Sequence, residues 1–223
     1  MIQSPDYDHA ATAAMMILRD HQLSETPVNP LPILEAVPGV RVLPFTRMAM
    51  DAGMDRQELV PLFGSNQDAA TFHLNMPGLD DVRYVVVYNM RLPFDIVWRA
   101  IARELGHIVL GHDGTLRTSE TRMAEALCFA HHLLTPRPVL NLILQSGMPL
   151  TQSALSETTG CSAECVIDMQ RIPGVRVDPE LNRQIRDQFA PHIHEYIRFH
   201  RSSPMADHSP VLYLGTFMDG YEE

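Results

Sequence analysis

Apolar residues recur at helical spacing through residues 6–22 (DYDHAATAAMMILRDHQ), where Ala, Met, Ile and Leu supply helix propensity and one apolar face. A helix is predicted there. A Pro-punctuated linker follows, with a short helix around 33–36, and residues 40–45 (VRVLPF) read as a short strand. Residues 46–67 are rich in Met and carry no clear period. Residues 69–75 (AATFHLN) and 82–89 (VRYVVVYN) are β-branched and aromatic runs, the composition of strands. MPGLDD between them is a turn by composition. Three short strands predict a small antiparallel sheet.

From residue 93 the period changes to that of helices. Phe94, Val97, Trp98, Ile101, Leu105 and Ile108 share one broad face over 93–110, with Pro93 suited to a first turn and Gly111 to a C-cap. Residues 119–134 form a second predicted helix, opened by Ser119 as N-cap. Thr135-Pro136-Arg137-Pro138 breaks the chain before a short helix at 139–145. Residues 151–157 and 162–170, joined at Gly160, resemble a small helix-turn-helix. Residues 175–177 suggest a short strand. A last helix over 180–201 is interrupted at Pro191, and the tail from 202 is expected to be loose.

Composition narrows the classes. The chain has 223 residues, 45% of them hydrophobic, enough for a globular core. No run of 18 apolar residues predicts a membrane span, and no secretory signal is readable at the N-terminus. Three cysteines, too few for a disulfide framework, point to a reducing interior, the cytoplasm. All 17 basic residues are Arg, against 27 acidic ones, for a net charge of −10. Phosphate neutralisation drives non-specific nucleic-acid affinity, so DNA is a disfavoured partner.

The chemistry concentrates in Arg103-Glu104-Leu105-Gly106-His107, followed on the next helix by Glu125. In helical zinc-peptidase motifs two His at i and i+4 share a face and bind zinc, while the Glu after the first His activates water. A third ligand comes from a following helix. The sequence ARELGHIVLGH followed by EALCFAHHLLTP resembles the ImmA/IrrE family of metallopeptidase-like proteins, whose typical forms read AHELGHxxLGH and EAxxFAxxLLxP. YVVVYNMRLPFDIVWRAIA and PVNPLPILEAVPGVRVLPF are similar to that family's entry into the active-site helix and to its N-terminal part. The similarity spans roughly residues 6 to 136, with a weaker echo to about 172.

The resemblance implies an α+β, zincin-like fold: a small antiparallel sheet packed on active-site helices within residues 1–136, a helical region over 137–201 and a tail over 202–223. It also implies a zinc cofactor and a protein or peptide substrate, such as a repressor cleaved or engaged for regulation, often in mobile-element or stress-response settings. Glu104 falls on the water-activating glutamate, His107 on the second zinc His and Glu125 on the carboxylate ligand. Arg103 stands on the first zinc His, and Leu127 where the family frequently has Asn or Asp.

A guanidinium stays protonated and has no lone pair, so Arg103 cannot replace an imidazole ligand. It is expected instead to reach Glu125 as an ion pair. The leading expectation is therefore a pseudoenzyme, degenerate at its metal site, that binds a regulatory protein. One alternative is an active metallo-endopeptidase with a reshaped ligand set of His107, Glu125 and Cys128; the contrary reading of Cys128 is a small buried apolar residue. Another is a DNA-binding regulator acting through the C-terminal helices, although residues 162–171 carry Glu164 and Asp168 against Arg171. Tyr84, Val86 and Tyr88 are candidates for an edge strand that aligns a peptide by main-chain pairing, against an internal strand as the alternative. His112 reads either as a lining residue of the cleft or, with more weight, as a helix-terminal His facing backbone carbonyls.

Overall fold

The computed structural model describes residues 4–53, 58, 68–74, 82–113, 118–162 and 174–202. These residues form an α+β structure of eight helices and one three-stranded sheet. In chain order they are α1 (Tyr7–Asp20), α2 (Pro30–Glu35), β1 (Val40–Pro44), α3 (Phe45–Ala52), β2 (Ala69–His73), β3 (Tyr84–Tyr88), α4 (Phe94–Val109), α5 (Ser119–Leu134), α6 (Arg137–Gln145), α7 (Gln152–Thr159) and α8 (Pro179–Ser202).

The sheet order is β1-β3-β2. β2 runs antiparallel to β3, with Thr71 opposite Val86, but β1 runs parallel to β3, with Val42 opposite Val86. The sheet is mixed, not antiparallel. A short polar connection forces β2 and β3 antiparallel, whereas β1 reaches β3 after a long excursion through α3, and no local turn fixes its direction. β3 is thus the central strand, with Val86 and Val87 fully buried.

α4 packs closely against α5. Gly106 makes this possible: a Cβ there would lie 3.0 Å from Phe129 Cδ1 and 3.1 Å from the Ala126 carbonyl oxygen. On its other side α5 meets α1, whose Ala10, Ala11, Ala14, Met15 and Leu18 form the buried stripe. One hydrophobic core runs from Ala10 to Ile197, so α6, α7 and α8 share it with the sheet and α4.

Several local expectations shift. The N-cap of α5 is Thr118, not Ser119: its Oγ1 accepts the Thr121 N–H at 3.2 Å. Pro191 sits inside a continuous α8, where Leu181, Ile185, Phe189, Ile193 and Ile197 bury one stripe through the proline. That burial outweighs the lost hydrogen bond, a cost of about 3 kcal/mol for an interior proline. Residues 175–177 form no strand, but Val175 and Val177 are buried in the core. The second half of the expected helix-turn-helix, Cys165 and the tail from 203 lie outside the described residues.

Candidate functional site

α4 buries its polar centre. Arg103 and Glu104 lie on adjacent positions and are 7% and 4% exposed, values normal for a core leucine. Burial of a guanidinium and a carboxylate demands partners, because an unpaired buried charge costs several kcal/mol. Arg103 has them. Its Nη1 and Nη2 fork onto Asp68 Oδ2 and Oδ1 at 3.0 and 3.1 Å, Nη2 also reaches the Ala69 carbonyl at 3.1 Å, and Nη2 and Nε hold Glu104 Oε1 at 2.7 and 3.0 Å. Thr71 Oγ1 donates to the other oxygen of Glu104 at 2.6 Å. The guanidinium therefore ties α4 to the start of β2, and the expected Arg103–Glu125 pair is not formed. Asp68, next to the cation in space though 35 residues away in sequence, is a site residue that sequence reasoning missed. No signal in residues 46–68 marked it.

Glu125 is held elsewhere. Its Oε1 accepts the backbone N–H of Asp6 at 2.7 Å and its Oε2 pairs with His112 Nε2 at 3.1 Å. Asp6 is the N-cap of α1, so Glu125 does from another helix what a capping-box glutamate does within one. His112 in turn lies 2.8 Å from His107, Nδ1 to Nδ1. The helix end explains this. Gly111 adopts φ +62°, its N–H bonds the Ile108 carbonyl, and the His112 N–H bonds the His107 carbonyl. This is a Schellman termination, which folds the second residue past the helix back onto the last turn. Leu-Gly-His was thus a readable signal: a Gly C-cap returns the next side chain to His107.

A carboxylate accepting Nε2–H leaves His112 Nδ1 with its lone pair. His107 must then donate through Nδ1, so its Nε2 carries the free lone pair. His107 and Glu104 both line a cleft of about 360 Å³, together with Ala69, Thr71, His73, Tyr84, Asp113 and Arg122. The wall strand is β2, not β3. Tyr84, Val86 and Tyr88 pair with β1 on one side and β2 on the other, so they form no edge; among the described residues β2 pairs with β3 alone. Of the three, Tyr84 reaches the cleft through its side chain.

Cys128 does not join Glu125. It is fully buried, with Sγ 3.6 Å from the Tyr7 carbonyl and 3.7 Å from His132 Nδ1, and burial pushes its thiol up to about 12. Its Sγ faces the Tyr7 carbonyl and His132, and among the described residues His107, Glu125 and Cys128 do not come together as a ligand group, so the reshaped triad finds no support in the geometry. Burial pulls His107 down to about 4, with the neighbouring His112, Arg103 and Arg122 adding to the effect over the opposing pull of Glu104. Burial likewise pulls the fully enclosed His132 to about 4. Burial raises Asp68, but the Arg103 hydrogen bonds and charge outweigh it and hold the carboxyl below its ordinary range.

The two histidines make a pH prediction. Each imidazole is more easily protonated when unfolded, so the stability they support is complete above about pH 6.5 and is lost as pH falls toward 4. Unfolding free energies from urea titrations at pH 7, 5 and 4 should fall progressively, by on the order of 2 kcal/mol or more in total. An unfolding free energy unchanged between pH 7 and 5 contradicts this.

Residues 64–168 match the profile of the IrrE N-terminal-like domain, Peptidase_M78. The match supports an ImmA/IrrE family protein. No curated protein and no solved structure is significantly similar to it. The family is generally zinc-dependent. The residues of this chain do not fit that metal. A catalytic zinc takes three protein donors plus water, and here one of the three positions is a guanidinium locked between two carboxylates. Among the described residues no three His, Cys, Asp or Glu side chains converge as ligands. No described helix is long and apolar enough to cross a membrane.

Proposed function

We propose that this protein is a metal-free, non-hydrolytic ImmA/IrrE-family member of zincin-like fold. It binds an extended segment of a regulatory protein, such as a repressor, in the cleft beside β2. The observation that carries this reading is the Arg103 clasp. The permanent cation stands at the first ligand position, and it occupies the very glutamate that would activate water. Glu104 accepts from Arg103 and Thr71, so both of its oxygens are engaged in holding the structure. What remains at the cleft is a strand and a ring of hydrogen-bonding side chains, the equipment for binding an extended chain.

Calorimetric titration of the purified protein with zinc tests the reading. No saturable one-to-one binding tighter than about 10 μM is expected, since a site short of one donor loses most of its affinity. Stoichiometric tight zinc, or zinc-dependent cleavage of an unstructured peptide, overturns it.

A further inference from the structure

The far end of the cleft has a chemistry of its own. His73 closes β2 and stacks on Tyr84 across the strand pair, with ring centroids 5.3 Å apart and planes 28° from parallel. The Tyr84 hydroxyl donates to Asp113 Oδ2 at 2.7 Å, and His73 Nε2 lies 3.8 Å from the same oxygen. Asp113 therefore sits beside two stacked rings at the mouth of the cleft, with its side chain 30% exposed and that of His73 47% exposed. Its Oδ1 has no side-chain partner among the described residues. The other end of the strand, about 13 Å away over five residues, carries the self-satisfied Arg103–Asp68–Glu104 cluster.

Of the described cations near the cleft, Arg83 acts on Tyr84, while Arg103 and Arg122 are already engaged. Arg103 is enclosed, and Arg122 Nη1 donates to the His112 carbonyl at 3.0 Å. Neither stands beside Asp113 to neutralise it. The Tyr84 hydrogen bond, the leading cause, with His73 and His112 adding to it, keeps the Asp113 carboxyl below its ordinary range. A net charge of −10 draws cationic partners to the surface as a whole.

We infer that the His73–Tyr84–Asp113 end of the cleft takes an arginine or lysine side chain of the polypeptide docked along β2. Its guanidinium or ammonium pairs with Asp113 Oδ1 and lies over the faces of Tyr84 and His73. An anionic carboxylate supplies the charge-assisted hydrogen bond and the ring faces supply cation–π attraction. The inference rests on the docking reading above and specifies its partner: an extended segment with a basic residue level with His73.

The test uses three blocked nine-residue peptides of strand-forming sequence, identical except for Arg, Ala or Glu at the centre, with binding to the whole protein read by fluorescence anisotropy. The Arg peptide should bind at least about tenfold tighter than the Ala peptide and the Glu peptide weakest, with the preference shrinking as salt is raised. Asp113→Asn should abolish the preference for Arg over Ala. Equal affinity for all three peptides, or an Arg preference that survives Asp113→Asn, overturns this inference and leaves strand docking standing. Binding of none of the three at millimolar peptide overturns both.

Discussion

Arg103→Met should destabilise the protein by about 3–5 kcal/mol, the cost of removing one partner from a buried ion cluster. Methionine fills much of the same volume, so the loss reports charge and hydrogen bonding, not a cavity. Five hydrogen bonds vanish together, and the two carboxylates they held remain, Glu104 among them with a side chain only 6% exposed. Removing the orphaned charge as well should recover part of the loss, so Arg103→Met combined with Glu104→Gln is expected to be more stable than Arg103→Met alone. Arg103→Lys should fall between wild type and Arg103→Met, because an ammonium keeps the charge and loses the fork onto Asp68. Chemical denaturation of the four proteins decides. A loss below about 1 kcal/mol for Arg103→Met would mean that the guanidinium is a surface-like pair of little worth.

The second large effect is on metal. Arg103→His places imidazoles at positions 103 and 107, four apart on α4, opposite Glu125 on α5. The surrounding support is already in place: His112 holds both His107 and Glu125, and in doing so leaves His107 Nε2 as an acceptor at the cleft. The same substitution releases Glu104 from the clasp. Zinc affinity should rise at least about 100-fold over wild type, a gain within the range that one completed ligand set supplies. Competition with a chromogenic chelator measures it. If Arg103→His binds no more zinc than wild type, the arginine is not the barrier, and Leu127 or the tie between Asp6 and Glu125 is the place to look.

The helices that carry the site were legible because their periods are long and their ends are marked. The α5 span matches its predicted boundaries, and α4 differs by one residue at each end. The motif also picked out Arg103, Glu104, His107 and Glu125 as buried or cleft-lining residues. What the residues could not reveal was the direction in which a charged side chain would turn. Arg103 was expected to reach toward α5, and it turns toward β2, because Asp68 offers two oxygens in the plane of the guanidinium while Glu125 is already taken from both sides. Partners so distant in sequence leave no periodic trace. The strand error has the same origin: three short strands fix their composition but not which one ends up in the middle.

The contact between Asp6 and Glu125 has a practical side. It moors the entrance of the first helix to the carboxylate that holds His112 in the cleft wall, so a truncation that removes Asp6 strips a proton donor from a side chain that is 1% exposed. Trimming the leading residues to tidy an expression plasmid would therefore alter the pocket itself, and apparent changes in ligand affinity would trace back to the wrong end of the polypeptide.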